Sequence, residues 1–576
     1  MHRLRYFSEL DQTEFDLCII GGGATGVGCA LDAALRGLKV ILIEKNDFAS
    51  GTSSKSTKLF HGGVRYLEQA VKKLSSEQFR MVYKALKERR ILINNAPFLA
   101  KPLPLLTPCT TWLSGAYYAL GLKIYDRLAG NTNLAPSEWL SKSETLKRLP
   151  QLNDKTLNSA VLYYDGQFDD ARYTIALAKT AAEKGAILLN HTTIESFDKN
   201  NAGQLEAVNI RDQIKNEPHR VRAKIFINAT GAFADSIRQL ANPSVLPRIR
   251  VSKGVHILLP RDVMGYDTAI LVPKTDDGRV IFMIPWQGRI LVGTTDDECA
   301  LTENEITVES DDVEYLLNYV NRYLKKPVTR DQIKSGFGGL RPLLQADPSA
   351  DTKSLVRDHE VEIDKKTGLI SIMGGKWTTY RLMAKDTVDT AEKILRGSVS
   401  VCKTDTCLLQ GTEGWSPDMH RGLVRRYKVP DYVAKRLCAK YGADAIKILT
   451  LLWKDGSLRQ PLIEGSPVLG AEVVYAAVYE MGLTLKDIFS RRLGLEFTDW
   501  QRTLEAIEPA ASLLQEAFWW DEAEKQRQID SYRDEILRLK DKVMGMIPEK
   551  RDFLGFAMLD TEGGYFYNEN DLKMVK

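Results

Sequence analysis

The sequence predicts an α/β fold with a mostly parallel sheet, a separate antiparallel sheet, and an all-helical domain at the C-terminal end. Three observations carry this prediction. A buried strand, a glycine-rich turn and an alanine-rich helix open the chain, strand-like runs alternate with turns over residues 252–297, and helical segments dominate after residue 398. Because 576 residues exceed the size of one hydrophobic core, we expect several domains.

The N-terminal unit has the pattern of a dinucleotide site. Residues 15–20 form an apolar strand, and the turn at 21–26 fits G-x-G-x-x-G at the start of a helix. Gly21 permits the tight turn, Gly23 lets the backbone approach a pyrophosphate, and Gly26 allows close packing of helix on strand. Glu44 ends the next strand eighteen residues beyond Gly26, where a carboxylate accepts ribose hydroxyls. An acid rather than an arginine at position 44 of this Rossmann-like unit disfavours NADP, and FAD and NAD remain as the candidate cofactors.

Two further glycine-containing turns separate FAD from NAD. A predicted strand over 369–373 runs into Gly374 and Gly375 and then a helix, whose N-terminus would stabilise the negative charge on a reduced flavin. Another strand, over 224–228, ends in Ala229-Thr230-Gly231. An NAD site needs no such distant second element, so we expect FAD. The predicted cofactor residues are Gly21, Gly22, Gly23, Ala24, Thr25, Gly26, Glu44, Lys45, Thr52, Ser53, Ser54, His61, Gly62, Gly63, Ala229, Thr230, Gly231, Gly374, Gly375, Lys376 and Thr378.

A chain of motifs resembles the FAD-dependent glycerol-3-phosphate dehydrogenases, most nearly their mitochondrial form. The motifs are the segments 52–67 (TSSKSTKLFHGGVRYL), 163–167 (YYDGQ), 292–296 (VGTTD), 339–343 (GLRPL), 374–381 (GGKWTTYR) and 488–492 (IFSRR). The likeness runs in order from about residue 15 to 546. It implies a glutathione-reductase/D-amino-acid-oxidase-like fold and hydride transfer from C2 of sn-glycerol 3-phosphate to N5 of FAD, which yields dihydroxyacetone phosphate. It also implies ubiquinone or menaquinone as the electron acceptor.

The domain boundaries follow from the motif order and the change in texture. We expect a first part of the FAD-binding domain over 1–95, a substrate and membrane-contact insertion over 96–169, a second FAD-binding part over 170–250, the antiparallel sheet of the substrate domain over 251–335, a last FAD-binding part over 336–398, and the helical C-terminal domain over 399–576. The four prolines between 97 and 108 predict a break in regular structure there.

The candidate substrate site combines a base with a clamp for phosphate. A neutral imidazole can take the C2 hydroxyl proton near neutral pH, and His61 beside two glycines is the favoured base, with Lys253 and His256 as competitors. Guanidinium groups bind phosphate oxygens in bidentate fashion. By resemblance, the residues expected at the substrate are Arg65 (also a catalytic candidate), Tyr66, Arg341, Arg357, Lys376 and Thr379.

One segment is a candidate for membrane contact. Residues 112–128 are apolar and aromatic, with no charge before Lys123 and with Lys101 and Arg127 flanking. The pattern fits a helix lying in the membrane interface and fits a core helix equally. No stretch approaches the ~20 apolar residues of a spanning helix. The resemblance implies a peripheral protein of the mitochondrial inner membrane, or of the bacterial cytoplasmic membrane, and leaves a homodimer open.

Several functional classes are disfavoured. A net charge of +4 gives no support to a nucleic-acid partner, and the seven cysteines form neither a CxxC pair nor a zinc-ligand spacing. The tail at 560–571 departs from an EF-hand loop at its sixth and twelfth positions, so we expect no metal. The alternatives that stay open are a glycerol-3-phosphate oxidase that releases hydrogen peroxide, an amino-acid or amine oxidase on the same fold, and a non-catalytic flavoprotein.

Overall fold

A computed structural model describes residues 1, 3–8, 10, 13–63, 76–273, 275–302, 305–345, 359–518 and 520–546. The predicted residues Arg65, Tyr66 and Arg357 and the tail at 560–571 lie outside this part. The strands are β1 (Glu14–Ile20), β2 (Val40–Ile43), β3 (Leu59–Phe60), β4 (Ala100–Cys109), β5 (Glu138–Ser141), β6 (Ser159–Phe168), β7 (Ile187–Leu189), β8 (Thr192–Lys199), β9 (Leu205–Asp212), β10 (Glu217–Asn228), β11 (Ile249–Pro260), β12 (Ala269–Val272), β13 (Ile281–Trp286), β14 (Arg289–Gly293), β15 (Asp297–Cys299), β16 (Ser335–Leu344), β17 (His359–Ile363) and β18 (Ile370–Gly374). The α-helices are Arg3–Ser8, Ala24–Leu35, Ser76–Asn95, Trp112–Ala129, Lys142–Arg148, Asp170–Glu183, Ala234–Ala241, Ser310–Tyr323, Tyr380–Arg396, Met419–Tyr427, Asp431–Tyr441, Ala445–Lys454, Gly470–Glu480, Trp500–Phe518 and Glu522–Met544.

The first sheet is the doubly wound sheet that the N-terminal pattern predicts. Its strands run in the order β17-β18-β10-β1-β2-β7. Strand β1 pairs in parallel with β2 on one side and with β10 on the other, and β10 pairs in parallel with β18. The later strands of the sheet are therefore added on both sides of β1, with β2 and β7 on one side and β10 and β18 on the other. In such sheets the crevice at the carboxyl ends of the strands, where the order reverses, is the ligand site.

The helices that follow the two glycine-rich turns pack against each other. A Cβ atom on Gly28, in the helix Ala24–Leu35, would lie 3.0 Å from the ring of Tyr380 in the helix Tyr380–Arg396. Cys29 on the same helix contacts the carbonyl of Ala384 through its Sγ, at 3.9 Å. The two helices, which begin 356 positions apart in the sequence, are thus neighbours in the fold.

The second sheet is antiparallel over residues 252–297, as predicted. Strand β11 pairs in antiparallel fashion with β14, β15 and β16, and β13 pairs in the same way with β12 and β14. The pairing of β11 with β16 carries this sheet to Leu344, past the boundary expected at 335. The segment 96–169 also joins this sheet. Strand β4 pairs with β6 along its full length and with β12 over two residues.

The prediction that the prolines of 97–108 break regular structure holds at Pro97, which lies in a turn, and is wrong at the other three. Strand β4 runs through Pro102, Pro104 and Pro108 and pairs with β6 from Ala100 to Cys109. These three prolines have the same parity along the strand, so their missing N–H groups all point to one side of it. A strand tolerates proline where the absent donor falls outside the hydrogen-bonded ladder. On its other side β4 pairs with β12 only at Leu105 and Leu106.

The C-terminal region is helical, as predicted. The helix Gly470–Glu480 ends where Met481 takes a left-handed φ of 52°, and Asp487–Arg492 forms a separate π-helical turn. Among the described residues, every helix is too short or too polar to cross a membrane.

Candidate active site

Three glycine-containing turns meet at one edge of the first sheet. Because β1, β10 and β18 are neighbouring parallel strands, the turns after them at Gly21, Ala229 and Gly375 lie side by side. A Cβ atom on Gly21 would lie 2.7 Å from the carbonyl oxygen of Ala229, and one on Gly26 would lie 1.9 Å from the carbonyl oxygen of Gly21. Only glycine fits at these positions, so the turn keeps its backbone N–H groups open to a phosphate.

Glu44 is held at the carboxyl end of β2 with acceptor capacity to spare. Its Oε2 accepts from the backbone N–H of Gly22 at 2.6 Å, and its Oε1 accepts from that of Asn46 at 2.8 Å. A carboxylate offers about four lone-pair sites, so these two bonds fix its orientation and leave acceptors for ribose hydroxyls. Lys45, the next predicted residue, lies exposed on the loop that follows.

Ser53 joins the two glycine-rich helix starts. Its Oγ accepts from the backbone N–H of Ala24 at 2.9 Å, and its carbonyl accepts from Nε1 of Trp377 at 3.0 Å. The neighbouring Thr52 donates from Oγ1 to the carbonyl of Leu340 in the second sheet, at 2.5 Å. The predicted loop at 52–54 therefore ties both halves of the dinucleotide site to the antiparallel sheet.

Lys58 and Asp170 form a buried ion pair that sequence reasoning missed. Both side chains are fully buried, and Nζ of Lys58 donates to Oδ1 of Asp170 and to the carbonyl of Ser54, each at 2.6 Å. Oδ2 of Asp170 accepts from the hydroxyl and the backbone N–H of Ser56. The pair fixes the backbone between Ser54 and Lys58. The available signal was the single lysine ahead of the apolar pair Leu59-Phe60.

His61 lies at the end of the same loop, where β3 leaves the second sheet. Its side chain is half-buried, and the following backbone N–H, that of Gly62, donates to the hydroxyl of Tyr125 at 2.8 Å. Gly63 takes a φ of 85°, which suits glycine and turns the chain. The loop at 52–63 thus contacts the start of the helix Ala24–Leu35 through Ser53 and ends at the predicted base.

The two competing bases lie on opposite faces of β11. Residues 253 and 256 differ by an odd number of positions, so their side chains alternate across the strand. Lys253 donates to Oδ2 of Asp312 at 2.8 Å on one face. His256 is buried on the other, where its Nε2 shares a 3.0 Å hydrogen bond with the hydroxyl of Thr57. Burial, aided by Arg341 and Lys58, holds the pKa of His256 well below its usual value, so its imidazole is neutral.

Arg341 lies on the His256 side of the second sheet. Its backbone pairs with Ser252, and its guanidinium lies so close over Gly254 that a Cβ atom there would be 2.1 Å from one nitrogen. The guanidinium donates to the hydroxyl of Thr294 at 2.8 Å, and to the carboxylate of Asp296 at 3.0 Å. Both partners belong to the motif at 292–296, so two predicted motifs meet at this arginine.

Lys376 and Thr379 lie at the turn after β18. Nζ of Lys376 contacts Sδ of Met81 at 3.4 Å, and Oγ1 of Thr379 donates to the carbonyl of Lys376 at 3.2 Å. Thr378 between them is buried. Lys376 therefore stands between the first sheet and the helix Ser76–Asn95.

Comparison with known proteins identifies the family. The profile of the FAD dependent oxidoreductase family matches residues 16–381, and that of the C-terminal domain of alpha-glycerophosphate oxidase matches 402–525. The mitochondrial glycerol-3-phosphate dehydrogenase of Homo sapiens is 42% identical over 533 residues, which are 90% of this chain and 73% of the human one. The chain belongs to the FAD-dependent glycerol-3-phosphate dehydrogenase family.

Other relatives agree with this family assignment. The mitochondrial glycerol-3-phosphate dehydrogenase of Arabidopsis thaliana is 39% identical over 539 residues, covering 90% of this chain and 85% of that protein. A solved structure of the glycerol-3-phosphate dehydrogenase from Bacillus halodurans complexed with FAD matches with a TM-score of 0.76 and 29% identity, over 94% of this chain and 97% of that one. The predicted fold and the choice of FAD over NAD are confirmed.

Proposed function

We propose that this protein oxidises sn-glycerol 3-phosphate to dihydroxyacetone phosphate and passes the electrons to a membrane quinone. The observation that carries the proposal is the loop at 52–63, which joins the dinucleotide turn to the antiparallel sheet and ends at His61. FAD, when bound, supplies the acceptor for the hydride that leaves C2. The residues of the chain bind and orient the substrate and take the proton from its C2 hydroxyl.

His61 is the base in this proposal. It is half-buried at the end of a loop whose backbone is fixed on both sides, at Lys58 by Asp170 and at Gly62 by Tyr125. Lys253 is less suited because Asp312 holds its ammonium group on the far face of β11. His256 is less suited because its lowered pKa makes it a weak proton acceptor and its Nε2 already shares a hydrogen bond with Thr57, which suits a residue that supports the loop.

The phosphate of the substrate requires cations that stay charged. Arg341 meets this need, because its planar guanidinium is held in a fixed orientation by Thr294 and Asp296. Lys376 adds a second positive charge at the flavin-side turn. Arg65, Tyr66, Arg357 and Thr379 complete the proposed substrate set.

Anaerobic bleaching of the bound flavin tests the reaction. We expect sn-glycerol 3-phosphate to bleach the flavin band of the purified protein, and glycerol and D-amino acids to leave it unchanged. Bleaching by a D-amino acid, or its absence with glycerol 3-phosphate, would reject the proposal. In air, peroxide release as fast as dye reduction would identify an oxidase instead, whereas faster reduction of a short-chain ubiquinone supports the quinone.

The helix Trp112–Ala129 is the proposed membrane contact. One face of this helix, which includes Leu122 and Tyr125, is buried. The opposite face exposes Leu113, Tyr117 and Leu120 at helical spacing. Leu113 is 73% exposed and Leu120 is 66% exposed, which is unusual for a row of large apolar side chains. Such a helix suits the interface of a membrane. The location that follows is peripheral, on the mitochondrial inner membrane if the source is eukaryotic.

Vesicle binding tests this contact. The double variant Leu113→Glu/Leu120→Glu places two charges on the exposed face without touching the buried one. We expect it to lose sedimentation with phosphatidylcholine–phosphatidylglycerol vesicles while it keeps its bound flavin. The matched control is Leu246→Glu, at a leucine that is 79% exposed outside this helix. Equal vesicle binding by the double variant and the control would refute the membrane role of this face.

A further inference from the structure

A buried chain of hydrogen bonds links the loop at His61 to the helix Trp112–Ala129. The hydroxyl of Tyr125 accepts from the backbone N–H of Gly62 at 2.8 Å and donates to Oδ1 of Asp165 at 2.8 Å. Oδ1 of Asp165 also accepts from Arg89 at 2.5 Å, and the same Arg89 nitrogen donates to the carbonyl of Tyr164 at 3.0 Å. The side chains of Tyr125, Asp165 and Arg89 are at most 2% exposed.

The charges of this network fix the direction of its hydrogen bonds. Burial, with the Asp165 carboxylate beside it, raises the pKa of Tyr125 well above its usual value. The phenol therefore stays protonated: it donates its one proton to Asp165 and keeps its lone pairs for Gly62. Burial raises the pKa of Asp165 above its usual value, and Arg89 opposes this shift, so Arg89 favours the carboxylate form that accepts from the phenol.

The backbone at Gly62 has no room to shift toward the helix. A Cβ atom on Gly62 would lie 2.5 Å from the Tyr125 hydroxyl and 2.5 Å from a methyl carbon of Leu86. On the other side, β3 is held to β6 by the pairs Leu59↔Gln167 and Phe60↔Gly166. His61 lies between these two anchors. The strand pairing holds the two residues before His61, and the Tyr125 hydrogen bond holds Gly62, the residue after it.

We propose that Tyr125 is a positioning residue for the active site, which fixes His61 by holding the N–H of Gly62. The proposal rests on the proposed function insofar as His61 is the base. Loss of the Tyr125 hydroxyl removes the 2.8 Å acceptor of this buried N–H and leaves it only the Asp165 carboxylate nearby, so the loop samples other backbone positions. A displacement of about 1 Å in a reacting group lowers a rate by about a hundredfold.

The experiment compares Tyr125→Phe with Tyr163→Phe in the FAD-loaded enzyme. Tyr163 is the matched control, because it is a buried tyrosine whose ring packs edge to face on Tyr125 at 6.3 Å. The first readout is hydrogen–deuterium exchange of the peptide that contains Gly62, which needs no substrate. We expect exchange to rise by about tenfold or more in Tyr125→Phe only, as a buried donor loses its partner. The second readout is the rate of flavin reduction by sn-glycerol 3-phosphate, which we expect to fall by about ten- to a hundredfold.

A double-mutant cycle separates positioning from general destabilisation. If Tyr125 acts through His61, adding Tyr125→Phe to His61→Ala lowers the rate of flavin reduction no further. A full multiplicative loss in the double variant, or exchange at Gly62 equal to that of Tyr163→Phe, would overturn the inference. If wild type is not bleached at all, the proposed function fails, and the exchange readout still decides whether Tyr125 holds the loop. Should Tyr125→Phe not fold, Asp165→Asn weakens the acceptor of the Tyr125 proton and should raise exchange at Gly62 above that of Tyr163→Phe, and equal exchange in the two variants would overturn the inference.

Discussion

The substitution Gly26→Ala tests the dinucleotide turn most directly. The added Cβ atom would lie 1.9 Å from the carbonyl oxygen of Gly21, whereas real Cβ contacts stay beyond 3.0 Å. The obstacle is backbone, which cannot rotate away like a side chain, so the helix Ala24–Leu35 must move off β1 by about 1 Å. Overpacking of this kind costs about 3 kcal/mol. If the native turn is the form that binds FAD, affinity falls by about a hundredfold.

The measurement is a titration of the apoprotein with FAD, in which binding is monitored by the quenching of flavin fluorescence. The control is Gly422→Ala in the helix Met419–Tyr427, where the new Cβ atom meets nothing within 4 Å. This control should keep wild-type FAD affinity and gain up to about 1 kcal/mol of stability from helix propensity. An affinity for FAD within threefold of wild type in Gly26→Ala would show that the turn does not set the cofactor site as argued.

Three further predictions concern the substrate clamp and two buried ion pairs. Arg341→Lys removes the planar fork at Thr294 and Asp296, so the KM for sn-glycerol 3-phosphate should rise about tenfold at unchanged FAD content, and an unchanged KM would remove Arg341 from the clamp. Lys58→Met leaves Asp170 buried without its cation and should lower the free energy of unfolding by about 3–5 kcal/mol; Lys55→Met, on the same loop but ion-paired to the less buried Glu305, should cost less. Burial acts to lower the pKa of His191, but the Asp487 carboxylate outweighs this effect and the pKa is raised. The stability that this ion pair contributes is therefore fully present below about pH 6.5, and it is lost as the pH rises through the pKa of His191 in the folded state. Denaturant unfolding at pH 6 and 8 should show a loss of stability that His191→Asn abolishes, and an identical pH dependence in the variant would refute the assignment.

Local pattern was enough to predict the first sheet and its turns. The run of apolar residues in β1, the glycines at 21–26 and the acid at Glu44 each serve a requirement of the same βαβ unit, so they reinforce one another. The prolines of β4 misled the prediction because propensity treats each proline alone. The common parity of Pro102, Pro104 and Pro108, together with the pairing of β4 on β6, lets a strand form where a break was expected.

The residues that hold the active-site loop could not be predicted in the same way. Gly62 and Tyr125 are 63 positions apart, Thr57 and His256 are 199 apart, and Lys58 and Asp170 are 112 apart. Periodicity reports which face of an element is buried, but it does not report which residue lies opposite. The apolar helix at 112–128 illustrates the limit: its pattern did not report that one face is core and the other is exposed.

The helical domain contacts the loop after Glu44 through the motif at 488–492. Asp47, three residues beyond Glu44, is fully buried, and its carboxylate accepts from Arg491 at 2.5 Å and from Arg492. Asp487 in turn pairs with Arg491 and with His191, and these contacts account for a grouping of Asp47, His191 and Asp487 that would otherwise suggest a metal site. A buried carboxylate that loses its guanidinium partners costs several kcal/mol. The loop that orients Glu44 therefore depends on the C-terminal domain, and a chain cut after residue 398 should fail to hold FAD even though every glycine-containing turn remains.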